Sequence, residues 1–242
     1  MALNICTNRY ASWHLNESSG TNAPDNSGNG RNGTTVGSPS WVAGKLNNCI
    51  QLNGTSQNVD CQNIAAFERT DSFSFECWIK PDTTGGEYMI IFSKALGTSP
   101  YTGIHCYLYK TSNYLRFALY STNVANYLQW RIDATAIMDN AWHYLVITYD
   151  GTSLITGCRC YVDGANQSKI GESDSLTGTI VNTTHFLIGQ RDGALYYKGL
   201  VDEFVIYNSV LTPADVTARY NSGIGTEQCQ ILSKNALLGH DF

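Results

Sequence analysis

Short runs of alternating apolar and polar residues recur along the chain, separated by clusters of Gly, Asn, Ser and Thr. Alternation with period two places one set of side chains on each face of a strand. On this basis the chain is predicted to form strands over residues 72–80, 88–94, 104–110, 113–120, 125–132, 143–149, 157–162, 184–189 and 199–207. Phe73, Phe75, Cys77 and Ile79 fall in phase, which makes Cys77 a core residue. Cys158 and Cys160 share a face and point in parallel, so they are not expected to bond each other. Asp150-Gly151 and Asp163-Gly164 are turn signals that make the intervening strand an antiparallel neighbour. A helical pattern occurs once: Thr212 can cap it, Pro213 suits its first position, and Asp215 complements its positive end. It runs to about Tyr220 and is expected to stop at Gly223. Many short strands with a single short C-terminal helix predict an all-β fold, a two-sheet antiparallel sandwich.

At 242 residues the chain suits one large domain over 1–225. Residues 226–242 lack the strand pattern and are expected to form a tail that docks on a partner subunit. The net charge of −5, with no Lys/Arg cluster, argues against nucleic acid and against an anionic membrane surface. It points to a neutral or positively charged partner. No apolar run approaches the roughly 18 residues of a membrane span. Met1 to Tyr10 lacks the basic start and apolar stretch of an export signal. The eight cysteines leave two readings open: reduced, mostly buried thiols, or a Cys6–Cys229 pair joining the termini.

Six segments carry a family resemblance. Ile188 to Gly193 ends a strand in a glycine turn. Tyr197 to Asn208 and Leu211 to Tyr220 then supply a strand with an acidic pair and the capped helix. This run resembles the closing segment of laminin G-like domains of the concanavalin A-like lectin/glucanase superfamily. Tyr10 to Gly20, Asp25 to Gly33, Gly44 to Gly54, Phe73 to Pro81 and Ala141 to Gly151 are similar to earlier strands and loops of such domains, in the same order. The resemblance covers residues 9–221 and implies a jelly-roll sandwich built for binding. It also implies that His143, beside Trp142, is structural, and that Tyr196 and Tyr197 are packing residues.

Some members of that superfamily hydrolyse glycosides, which takes two carboxylates converging on one bond. Glu76 has only Ser74 and Trp78 as face-mates, and strand alternation sends adjacent Asp202 and Glu203 to opposite faces. No Gly-x-Ser-x-Gly elbow occurs. Enzyme activity is not expected. Asp25, Ser27, Asn29 and Asn32 offer hard oxygen ligands in a Gly-rich loop, and the resemblance implies calcium there with Asp202 as a further ligand. The alternative is an Asx-turn loop bonding its own backbone. Tyr residues are dense from Tyr101 to Tyr127, and alternation places His105, Tyr107 and Tyr109 on one face, Cys106 and Leu108 on the other. If the apolar pair faces inward, the first three form an outward carbohydrate-binding platform. The alternative is cross-strand aromatic pairing that stabilises the sheet. The sequons at Asn16, Asn32 and Asn53 add nothing in a chain so rich in these residues.

The expected function is a non-enzymatic lectin-like surface module that binds a glycan or surface polysaccharide, with calcium as its cofactor. A fold usually found in secreted proteins, here without an export signal, leads to the expectation of a virion surface protein: a bacteriophage decoration, head-fibre or tail-associated piece in contact with other virion subunits. The alternative is a secreted, extracellular carbohydrate-binding or adhesion domain.

Overall fold

The computed structural model describes residues 9–122 and 125–226. Cys6, Cys229 and all of the 226–242 tail except Thr226 lie outside the described residues, and with them the proposed terminal disulfide and the docking tail.

Two antiparallel sheets face each other in a jelly-roll sandwich. In spatial order the first contains Ala165–Asn166, Cys158–Val162, His143–Tyr149, Phe73–Pro81, Lys198–Tyr207, Asn48–Asn53 and Ser40–Ala43, with Arg9–Trp13 paired to one half of Lys198–Tyr207. The second runs Ile170–Asp174, Asn126–Asp133, Tyr114–Thr122, Gly103–Tyr109, Tyr88–Ala95, Leu187–Ile188, Asn58–Asp60, Gly33–Val36 and Asn22–Ala23. Most predicted strands are found within two residues of their expected ends. Residues 184–189 shrink to the two-residue strand Leu187–Ile188, because Gly189 turns with φ 88° into the small hairpin of Gln190–Arg191 and Ala194–Tyr196. Asp163 (φ 51°) and Gly164 (φ 79°) both take the left-handed conformation a tight hairpin needs, and Val162 pairs with Ala165 across them.

Between the sheets lies the main core, in which Phe73, Phe75, Phe92, Phe117, Phe186 and Phe204 pack with Trp13 and Trp130. Cys77, Cys158 and Cys160 belong to it, as their phase predicts. All six described cysteines carry buried free thiols. Burial pushes the Cys49 and Cys158 thiols up to about 12, so neither is a thiolate at neutral pH.

A second cluster covers the outer face of the first sheet. The Pro213–Tyr220 helix lays Val216 onto Trp78, Tyr144, Val146, Tyr161, Val205 and Tyr207. Thr212 and Asp215 form a reciprocal capping box, as the sequence indicates. The stop differs: Asn221 (φ 47°) takes the left-handed C-cap position two residues before Gly223. Beneath the helix, Arg219 Nη1 lies 3.3 Å from Glu76 Oε2, which also accepts from Tyr207 Oη at 2.6 Å. Glu76, alone on its strand, is therefore an ion-pair partner inside the fold.

Asp202 and Glu203 do not point to opposite faces. The register against Phe73–Pro81 slips between Asp202 and Val205, and Glu203 takes φ 49° as the extra residue of a bulge. Val201 and Phe204 both stay in the core, so the inserted Glu203 is displaced to the outer side, where its Oε2 lies 2.6 Å from His14 Nδ1. Alternation holds only while the ladder keeps its register.

Candidate functional site

Among the described residues no helix lies over the second sheet's outer face. Its side chains form rows across neighbouring strands. Tyr88, Tyr109 and Tyr114 make one; Ile90, Tyr107, Arg116 and Arg131 the next; then His105, Ala118 and Gln129; then Gly103, Tyr120 and Tyr127. Ala118 and Gly103 are short, so these rows are low, while the tyrosines and arginines around them stand up. The result is a cleft of about 460 Å³ walled by Tyr88, Tyr101, Tyr107, Tyr120 and Tyr127, with His105 at its base. Arg191 and Leu195 close one side from the small hairpin.

Two residues at the rim, Tyr101 (φ 59°) and Leu195 (φ 56°), hold left-handed backbone conformations that cost non-glycine residues about 1–3 kcal/mol each. Tyr101 is braced: its carbonyl is 3.0 Å from His105 Nε2, and the Arg191 guanidinium sits 4.9 Å from its ring centroid. Facing a carbonyl, Nε2 is the protonated ring nitrogen, by inference from the partner. Burial is the main reason the His105 pKa falls to about 4, with Arg191 adding to it, so the ring is neutral at pH 7. The polar groups of the cleft are fixed. Arg116 Nη1 donates to Tyr107 Oη at 3.0 Å, and Tyr120 Oη donates to Gln129 Oε1 at 3.0 Å. Burial also raises the Tyr107 phenol, which stays protonated. Among the described residues no carboxylate lines the cleft.

Cys106 and Leu108 do face the core, so His105, Tyr107 and Tyr109 do face outward. His105 and Tyr107 enter the cleft. Tyr109 stands one row away, stacked on Tyr88 at 4.7 Å and tilted against Tyr114 at 4.9 Å, which is the cross-strand pairing of the alternative reading. Arg116, Gln129, Arg191 and Leu195 were not singled out from the sequence. Arg116 was legible there, since it alternates in phase with Tyr114 and Tyr120; Arg191 was not, because a separate hairpin brings it in. Trp130, on the neighbouring strand, points inward and is buried. Tyr197 is a core residue, and His143 is clamped between Asp139 and Asp163, both structural as expected.

The proposed calcium ligands do not converge. Asp25 Oδ1 accepts from Ser12 N and Ser27 N at 2.9 Å each, and Oδ2 from Arg31 N at 2.8 Å. Burial alone would raise the Asp25 carboxyl, but these bonds outweigh it and hold the pKa below its ordinary value. Asn32 Oδ1 accepts from Asp25 N, Ser27 Oγ accepts from Asn29 N, and Asn29 Nδ2 donates to the carbonyls of Arg9 and Tyr10. These are the bonds of an Asx-type loop. Asp202 is held elsewhere, its Oδ2 accepting from Lys45 N and Leu46 N, and burial together with the Glu203 charge pushes its pKa to about 8. Among the described residues no three His, Cys, Asp or Glu side chains form a cluster that could hold a metal. The donor set does not fit a calcium ion.

A larger depression, about 640 Å³, lies at the edge of the first sheet's outer face. It has no aromatic lining, and its Lys198 is 3.2 Å from Asp82, so the tyrosine cleft is the better candidate.

A family model described as the concanavalin A-like lectin/glucanases superfamily matches residues 53–217, more than half of the chain. No curated protein matches. Among solved structures, the binding domain of Paraclostridial Mosquitocidal Protein 1 is similar with a TM-score of 0.69 and 19% identity, over 90% of this chain and 53% of that one. The botulinum neurotoxin serotype D binding domain follows with a TM-score of 0.68 and 14% identity, over 91% and 53%. This chain thus spans about half of those domains. Domain 4 of AbnA, a GH43 extracellular arabinanase from Geobacillus stearothermophilus, was solved with arabinotriose. It matches with a TM-score of 0.58 and 19% identity, over 90% of this chain and 98% of that one. At such identities these likenesses speak to the fold.

Proposed function

This chain belongs to the concanavalin A-like lectin/glucanases superfamily, and we propose that it acts as a non-enzymatic, lectin-like surface module whose tyrosine-walled cleft binds a glycan. The carrying observation is the lining itself. Five tyrosines present flat apolar faces, and fixed donors and acceptors at Arg116, Gln129, Tyr120 and His105 stand among them. A pyranose or furanose ring is matched by that combination, its C–H face stacking on an aromatic ring and its hydroxyls meeting positioned polar groups. That no described residue brings a carboxylate to the lining supports binding without hydrolysis. Similarity to a domain solved with arabinotriose, and to two domains described as binding domains, supports the same reading.

The test is binding of the purified chain to a broad panel of immobilised oligosaccharides and polysaccharides, with Tyr127→Ala alongside. Binding to a defined class, weakened by the substitution, is expected. A folded protein that binds nothing on the panel overturns the reading. The virion-surface location expected from the sequence is not required by the cleft; a search for the chain in purified particles tests it separately from an extracellular adhesion role.

A further inference from the structure

The charge balance of the cleft is opposite to that of the chain. Overall the protein has 20 Asp and Glu against 15 Lys and Arg. Elsewhere some cations meet an acid, as Arg219 meets Glu76 and Lys198 meets Asp82, and others meet carbonyl or amide oxygens, as Lys94 meets Asn63 and Thr184 and Lys110 meets Gly85. Arg116 and Arg191 both line it, and neither has an acidic partner among the described residues. Arg191 Nε is buried with no hydrogen-bond partner there.

The cations are also crowded. Arg116 stands directly opposite Arg131 in the ladder, an arrangement of like charges that weakens a sheet. The Tyr114 ring lies under both guanidiniums, at 5.1 and 5.3 Å, and offsets part of the repulsion without neutralising either charge. His105, the other titratable cation former in the cleft, is held neutral by burial. A guanidinium keeps its charge at any physiological pH and offers a planar fork that matches a carboxylate. Among the described residues the lining of this aromatic cleft holds two arginines and no acid, a combination suited to an anion attached to a ring.

We propose that the ligand is an acidic saccharide, its carboxylate received by Arg116 and Arg191 while its ring stacks on the tyrosine walls. This rests on the glycan-binding reading above and narrows it to sugars bearing a carboxylate, against the neutral or cationic partner that the net charge suggests.

The experiment compares matched ligands by titration calorimetry on the whole chain: trigalacturonate against its methyl ester, and 3′-sialyllactose against lactose. At least one acid form should bind ten times or more tightly than its neutral partner. Arg116→Gln and Arg191→Gln should each remove most of that preference, weakening the acid form far more than its neutral partner. Arg191→Lys should retain part of it. Equal affinity for both acids and their neutral partners, or binding of neutral panel sugars alone, overturns the acidic-saccharide assignment and leaves the glycan-binding reading standing. No binding of any panel sugar by folded protein overturns both. Because the ester comparison uses the unaltered protein, a substitution that fails to fold does not remove the test.

Discussion

The outer faces of the two sheets are both rich in aromatic residues and both carry arginine, yet they are finished in opposite ways. On the first sheet, Trp78, Tyr144 and Tyr207 lie beneath a helix, and Arg219 is neutralised by Glu76 in their midst. On the second, Tyr101, Tyr107, Tyr120 and Tyr127 remain open around Arg116 and Arg191, which have no acid beside them among the described residues. Aromatic content alone therefore does not mark a site. Covering and charge pairing turn such a face into core; leaving both undone makes it available to a ligand.

The strongest test of this contrast is Arg219→Met. It leaves Glu76 buried without its cation, which costs about 3–5 kcal/mol, read from denaturant unfolding. The cleft should keep its binding in the folded fraction. A loss below about 1 kcal/mol would mean that the covered face is not held by this pair.

Acid should next separate the faces. A histidine with a depressed pKa in the folded state adds nothing above its ordinary value of 6.5, where both states are neutral. As pH falls toward about 4, the unfolded chain takes a proton the native state refuses, so His105 should cost on the order of 3 kcal/mol over that window. His143, on the first sheet, has the opposite sign. Its hydrogen bonds to Asp163 and Asp139 raise its pKa, so its contribution is complete below 6.5 and fades as pH rises through the raised value. Stability curves of the unaltered chain, His105→Gln and His143→Gln should diverge accordingly. An unchanged acid slope in His105→Gln would place the acid sensitivity elsewhere.

Tyr127→Ala reads the open face directly. Truncating one wall of the cleft should weaken saccharide binding about tenfold, or ~1.4 kcal/mol, with unfolding free energy shifted by less than about 1 kcal/mol. Losing that much stability instead would make the tyrosine a structural element like those under the helix. The smallest effect is expected from calcium. With both Asp25 oxygens already accepting from backbone N–H groups, melting temperatures in excess calcium and in chelator should coincide. A rise with calcium would show an ion bound to the native state and reopen the loop as a metal site.

Much of this was legible in local sequence. Alternation located the strands and sent Cys77 inward; Thr212, Pro213 and Asp215 announced the helix; and the phase of Cys106 and Leu108 turned His105 and Tyr107 outward. These features depend on steric and hydrogen-bonding rules acting over a few residues, which the sequence contains in full. Where a bulge interrupted the ladder at Glu203, the same rule failed. The tertiary structure decided the rest: that the helix covers one sheet and not the other, that Arg219 reaches Glu76, that Asp202 caps the 44–46 turn and leaves Asp25 to its own loop, and that a distant hairpin brings Arg191 to the cleft. Each depends on which segments the sandwich makes neighbours, and the energy of bringing charge to an aromatic cleft exists only once those neighbours have met.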